Sequence, residues 1–349
     1  MTEETFELDF GTFTGTVVDN KPHGFGTLIF KPDDPMGRQK YEGEWLEGTK
    51  TGQGKMTFVS GDVYDGAFLD GVPHGQGDFR YSDGQVEKAS WEEGARHGLS
   101  RFLSVNGTTE EMTFIDGEAN GPAKIEKSDG SVEQRQYVNG IKSGPAKLTM
   151  VNGDTIEYSY VHDEIEGEAT YTWKANGAKE ISHYVKGVKH GHSVEYSENG
   201  DKEERTYVSG VLQGPAVVYG QNGDRLDFTY KNGKRTGKAT YVWADGSKEL
   251  SLYDDQGEQT GPAKLIWHNG AQREGLKKQG QWDGEVFYTY SEGPRKGKKD
   301  KELWAEGKLI KSEKFYGQGE QWDVEDWDDL DKMDDLTKSC QPSKVKQGS

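Results

Sequence analysis

Six glutamates recur at one position of this chain: Glu87, Glu110, Glu133, Glu180, Glu203 and Glu249. Four residues after each stands an aromatic: Trp91, Phe114, Tyr137, Tyr184, Tyr207 and Tyr253. Side chains alternate between faces along a strand, so residues four apart share a face. A row of carboxylates beside aromatic rings is suited to holding cations, through ion pairs and the negative faces of the rings. Two readings stay open. In water each neighbouring repulsion in the row is only about 0.4 kcal/mol, so the row could be a solvated face. It could also form an acidic, aromatic-lined groove for a basic or Lys-rich segment of a protein partner.

Other chemistry is scarce. His23, His74, His97 and His190 each precede a glycine. Equivalent positions of successive hairpins lie about 9–10 Å apart, whereas ligands sharing one zinc lie within roughly 4 Å of each other. His190-Gly-His192 lacks a third ligand, so these are expected to be turn residues. There is no Gly-x-Ser-x-Gly elbow and no P-loop lysine motif. The single cysteine, Cys340, stands in a polar stretch, which makes a Cys–His nucleophile improbable. The expectation is a non-enzyme with no catalytic, cofactor or metal site.

The elements that must position these residues are set by glycine. A phase glycine falls at Gly24, Gly52, Gly75, Gly98, Gly121, Gly144, Gly167, Gly191, Gly214, Gly237, Gly261 and Gly284, with a weaker copy at Gly307. Most intervals are 23 residues, and a period held this long marks a repeat architecture. A second glycine follows nine residues later, as at Gly84, Gly107, Gly130 and Gly153, almost always after Asp or Asn. That pairing predicts two-residue hairpin turns. A third glycine precedes the phase by four, as at Gly48, Gly71, Gly94 and Gly117. Each repeat therefore has two turns and two strands. Small-large-large alternation, as in Ala169/Tyr171/Trp173 and Ala239/Tyr241/Trp243, marks the inward face. Ser193 and Ser197 break that alternation, which predicts a local bulge or irregularity near them.

The fold expected is all-β: an elongated single-sheet solenoid of twelve or thirteen hairpin repeats spanning residues 13–316. A lead-in (1–12) precedes it and an acidic, aromatic tail (317–349) with a short helix follows. Only 31% of the residues are hydrophobic, below the globular norm of about 45–50%, yet aromatics held in register argue for order. The net charge of −18 repels phosphate and so disfavours nucleic acid and anionic lipid as main partners. Membrane contact would have to use the basic stretch 273–314. One cysteine, no signal-like N-terminus and no long apolar run point to a soluble cytoplasmic protein. Arg295-Lys-Gly-Lys-Lys-Asp-Lys301 resembles a weak nuclear-import patch.

Tyr41-x-Gly43-x-Trp45-x-x-Gly48 with Gly52-x-Gly54, and Tyr64-x-Gly66-x-Phe68-x-x-Gly71-x-x-His74-Gly75-x-Gly77, resemble MORN (membrane occupation and recognition nexus) repeats. Later repeats keep the glycines and lose the Tyr-x-Gly-x-Trp core. The resemblance implies a repeat scaffold for protein–protein interaction, or a membrane tether. The first third, from Pro22-His-Gly-Phe-Gly to Asp116-Gly-Glu-Ala-Asn-Gly-Pro-Ala123, is also similar to the repeat domain of SET-type histone lysine methyltransferases. The Asn-His-Ser motif of their catalytic domain is absent from this sequence, so only a recognition module related to them would be implied.

The C-terminal stretch 320–335 is dense in Asp and Glu and threaded with Trp322, Trp327 and Leu330. An array end exposes apolar surface, so these residues are expected either to cap the last hairpin or to bind a partner.

Overall fold

The computed structural model describes residues 4–315. Its thirty strands are joined by tight turns, and the one helical element among the described residues is the 3-10 turn Gly293–Arg295. Pairing is antiparallel between successive strands. The fold is thus the repeat hairpin array that the glycine spacing implies.

The Tyr41 repeat shows how the array is built. Strands Arg38–Leu46 and Thr49–Phe58 are joined through Glu47-Gly48, with Leu46 opposite Thr49. Both turn residues have positive φ, 50° and 88°, as the primed two-residue turn requires. The next turn differs. The Phe58 N–H donates to Asp62 O and the Gly61 N–H donates to Phe58 O, so Val59-Ser60-Gly61 is a three-residue loop with Gly61 left-handed at φ 90°. The two-residue turns predicted at the second glycine therefore lie at the third instead. The Asp/Asn before the second glycine serves another purpose, its side chain taking a nearby N–H, as Asp83 does from Gln85. The phase glycine marks an irregularity. Between the pairs Gly43–Gly54 and Glu44–Thr51 the register shifts, and Gly52 sits there at φ 56°.

The described residues divide into two compact units, 4–175 with Val185–Gly187, and Asn176–Tyr184 with 188–315. The first has an aromatic core of Phe13, Leu28, Phe30, Tyr41, Trp45, Met56, Tyr64 and Phe68. Its rings meet edge to face, Tyr41 with Phe68 at 5.0 Å and Tyr64 with Phe68 at 5.2 Å, a favourable arrangement of ring quadrupoles. The second holds smaller clusters, Ala216/Phe228/Tyr230/Ala239 and Ala263/Trp282/Val286.

Ser193 is buried on the inward face as expected. The bulge or irregularity predicted there is absent from its pairing with Lys202–Val208, which runs unbroken from Gly191–Tyr207 to Tyr196–Lys202. A hydroxyl at Ser193 has partners of its own (below), so the strand has no need to turn it outward.

Candidate functional site

The slot eleven residues before the phase glycine is filled mainly by a tyrosine or by a glutamate. In the Tyr41 and Tyr64 repeats a phenol ring lies over a glycine pair. A Cβ on Gly54 would come within 2.5 Å of the Tyr41 ring, and one on Gly77 equally close to Tyr64. The hydroxyls donate to Glu44 O at 3.1 Å and Ala67 O at 2.9 Å. From Glu87 onward a carboxylate takes the slot in six repeats, while Ile156, Leu226 and Arg273 hold it in three others. In the carboxylate repeats larger residues replace the glycines: Ala89 and Ser100, then Arg135 and Ala146, Ser182 and Ser193, Arg205 and Ala216.

Each glutamate meets a partner from its own chain. Glu87, 0% exposed, is gripped by Arg96 at 2.5 and 2.8 Å and accepts from the Tyr81 hydroxyl at 2.9 Å. Glu133 is buried and accepts from Tyr158 and Tyr160, both at 3.1 Å, with Arg135 at 3.5 Å. Arg135 also reaches back to Glu110 at 3.8 Å. Glu180 has the fullest set, with Lys189 at 2.7 Å, Arg205 at 3.0 Å, Ser182 at 3.0 Å, Ser193 at 3.3 Å and Tyr207 at 3.4 Å. Glu203 accepts from Tyr230 at 2.9 Å, and Glu249 from Gln259 at 2.8 Å and Lys277 at 2.6 Å. Burial alone would raise the Glu180 carboxyl. The hydrogen bonds and charges of Lys189 and Arg205 outweigh it and hold it at about 2.

The solvated-face reading is therefore corrected: Glu87, Glu133 and Glu180 are buried. A single sheet covers its inward face only when side chains lie across one another, and a carboxylate placed there is stable only if paired. The aromatic partners are also redistributed. Glutamates reach the ring of the following repeat, 27 residues on: Glu133 to Tyr160, Glu180 to Tyr207 and Glu203 to Tyr230. Tyr137 lies instead beneath the Arg135 guanidinium at 5.2 Å, and Tyr207 beneath Lys189 at 5.1 Å. Burial raises Tyr184, and pushes Tyr207 up to about 12. Tyr253 packs on the Phe228 cluster.

The counter-ions were not foreseen. Arg96 and Lys189 stand two residues before a phase glycine, while Arg135 and Arg205 stand nine before one. The signal available was a Lys or Arg nine residues after a slot glutamate, or two after it. Trp322, Trp327 and Leu330 lie outside the described residues.

The histidines are dispersed. The His190 ring accepts the Ser209 N–H at 3.4 Å, and His97 lies 3.5 Å from Glu92 and 3.7 Å from Asp116. Among the described residues no three His, Cys, Asp or Glu side chains gather as a metal site would require. A depression of about 580 Å³ is lined by Leu99, Thr113, Pro122, Gln136 and Pro145, by the charged Glu111, Lys124, Lys147 and Glu157, and by Arg135 and Tyr158 of the Glu133 site.

The comparisons with known proteins agree with the repeat. The model of the MORN repeat matches residues 13–34, 41–63, 64–86, 136–155, 181–202 and 229–248. No curated protein sequence matches the chain. Among solved structures it is similar to the TCP10 domain of Danio rerio CPAP, with 14% identity over 65% of this chain and 94% of that one and a TM-score of 0.31. It is also similar to the Drosophila melanogaster SAS-4 TCP domain, solved with a proline-rich motif of Ana2, with 14% identity over 52% and 89% and a TM-score of 0.28. At such scores neither likeness bears on how this chain works. The glycine period, the Tyr-over-glycine slot and the six matched segments together make this a MORN-repeat protein.

Proposed function

We propose that the chain is a non-enzymatic scaffold that holds protein partners on the exposed face of its sheet. The observation that carries this is the fate of the carboxylates. The glutamate row is the feature best suited to acid–base or cation chemistry, and Arg, Lys and Tyr side chains of the same chain already engage it. Its work is to bind one repeat to the next. The opposite face keeps Leu99 exposed, 61% by area, together with exposed Pro122 and Pro145. Repeat arrays of this kind offer long surfaces assembled from equivalent positions, and an acidic chain favours partners with basic segments.

The test uses the whole chain as bait, with partners cross-linked and quantified by mass spectrometry. The expected result is a set of partners that is reduced when Leu99→Asp and Pro145→Asp are introduced and kept when Glu133→Gln is introduced. Loss of partners with Glu133→Gln alone, or a bait that retains none, overturns the reading.

A further inference from the structure

The two-residue turns of the first unit form a surface that neither the glutamate row nor the Leu99 depression accounts for. Six consecutive turns occupy residues 46–49, 69–72, 92–95, 115–118, 138–141 and 161–164. They are stacked by backbone hydrogen bonds. The Gly71 N–H donates to Lys50 O, Gly94 to Pro73 O, Gly117 to Arg96 O, Gly140 to Ala119 O and Asp163 to Lys142 O, all at 2.8–3.1 Å. Adjacent turns are therefore two strands apart, about 9–10 Å.

Large apolar side chains flank these turns and remain open to water. Leu46, Leu69, Val72, Ile115, Val138 and Val161 are 39–54% exposed. They recur at five of the six turns, the turn at 92–95 carrying none, unlike the scattered single apolar residues normal on a surface. The same windows hold Glu47, Asp70, Glu93, Asp116, Glu118 and Asp163 and contain no Lys or Arg, whereas the equivalent turns stacked at the two ends bring Lys21 and Lys186. Between those ends the row is an apolar ridge bordered by one sign of charge.

We infer that this turn row docks a basic amphipathic helix of a partner protein, an inference that rests on the scaffold reading. Three features select that occupant. The acidic border calls for Lys and Arg beside the apolar contacts. One N–H of each turn is already used on the preceding turn's strand, so an added strand would find no continuous backbone ladder there, whereas a helix satisfies its own backbone. A helix also presents the same face every seven residues, about 10.5 Å along its axis, close to the turn spacing. A second copy of this chain would set acidic row against acidic row, which costs affinity.

The test measures binding of a synthetic 28-residue peptide to the full chain by fluorescence anisotropy. The peptide carries Leu at the a and d positions of each heptad and Lys at e and g. A scrambled peptide of equal composition is the control. The expected result is saturable binding of the patterned peptide only. Ile115→Ser with Val138→Ser should weaken it about tenfold or more, as removing central apolar contacts does. Asp70→Asn with Glu93→Gln, Asp116→Asn and Glu118→Gln should weaken it comparably and flatten its salt dependence. Neutralising exposed Glu198, Asp255, Glu292 and Glu306 of the other unit to the amides should change it less than about twofold. Circular dichroism establishes that each variant folds, and Ile115→Ser alone replaces the pair if the pair does not. Equal binding of the scrambled peptide, or equal loss with the distant acids, would reduce the effect to bulk charge and overturn the inference. Failure here with partners still recovered by the whole-chain bait leaves the scaffold reading standing. A bait that retains no partners defeats that reading on its own.

Discussion

The repeats at Tyr41 and at Glu180 fill one slot by opposite means. Tyr41 lies over Gly43 and Gly54, with no room for a Cβ on either. It is held by rings, Trp45 at 5.4 Å and Phe68 at 5.0 Å, and by one hydroxyl donation. Glu180 is smaller, so Ser182 and Ser193 stand where the glycines stood and donate to it. Lys189 and Arg205 supply the remaining volume and the charge. What the repeat conserves is filled space on the inward face. The chemistry that fills it is free to vary, and the two choices respond differently to substitution, pH and partner loss.

The largest effect should come from disturbing the aromatic version. Gly54→Ala drives a Cβ into the Tyr41 ring, and overpacking of this kind costs about 3 kcal/mol. Ala123→Gly, at the equivalent position of a carboxylate repeat and buried at 5% exposure, should cost only about 1 kcal/mol. Urea unfolding of both variants measures the difference. Similar costs would mean that the slot is not volume-limited.

Next comes the ionic version. Glu180→Gln removes the charge from a site that keeps Lys189 and Arg205. Arg205 retains Glu195 at 2.6 Å, and the carboxylate is about one-tenth exposed, so the loss should fall below the usual 3–5 kcal/mol for a broken buried pair, at about 2 kcal/mol. The folded carboxyl sits at about 2 against 4.5 ordinarily. The unfolded chain therefore binds more protons between those values. The advantage of the parent over Glu180→Gln should be full above pH 4.5 and disappear as pH falls towards about 2. Denaturant titrations at several pH values check this, and a pH-independent difference would remove the ion pairs from the explanation.

How much of this could be read from the sequence follows from the same comparison. Backbone geometry was legible because glycine reports it directly: the phase, the repeat boundaries and the two turns per repeat all rest on residues that take positive φ. Turn type was misassigned. Asn-Gly and Asp-Gly suit both a two-residue turn and the left-handed end of a three-residue loop, whereas Glu47, Lys186 and Ser209 adopt φ near 50° in the two-residue turns without any such signature. Burial of the glutamates was illegible for a different reason. Their cations come from different repeat positions, Arg96 and Lys189 from one and Arg135 and Arg205 from another, so no single period exposes the pairing. The exposed turn row was hidden in the same way, its Leu, Ile and Val looking in one dimension like ordinary strand ends.

A smaller effect returns to the aromatic core. Lys50 is buried there, with its ammonium 5.3 Å from the Phe30 ring and 5.6 Å from Tyr41. Burial first, and then the charge of Arg38, lower it to about 8. The unfolded chain binds the extra proton between pH 8 and 10.5, so stability of the parent should rise across that range. Lys50→Met keeps the length of the side chain and removes the charge. It should stabilise the protein by about 1 kcal/mol at neutral pH, with the gain shrinking above pH 8. A destabilised Lys50→Met would mean that the ring contacts of the ammonium outweigh its burial.

The smallest effect separates two glutamates of the same row. Glu203 is about one-fifth exposed, accepts from Tyr230 at 2.9 Å and lies 3.9 Å from Arg205. Glu203→Gln leaves an amide oxygen in place for the Tyr230 hydroxyl, and Arg205 keeps Glu180 and Glu195. The cost should therefore be under about 1 kcal/mol, the scale of a partly exposed ion pair. Tyr230→Phe should cost about as much, since it deletes one hydrogen bond and keeps the ring against Phe228 at 4.9 Å. Chemical denaturation of these two variants beside Glu180→Gln decides whether the number of cations at a carboxylate sets its worth. If Glu203→Gln cost as much as Glu180→Gln, the row would act as one coupled strip, and the comparison between slots would have to be drawn over whole units rather than single repeats.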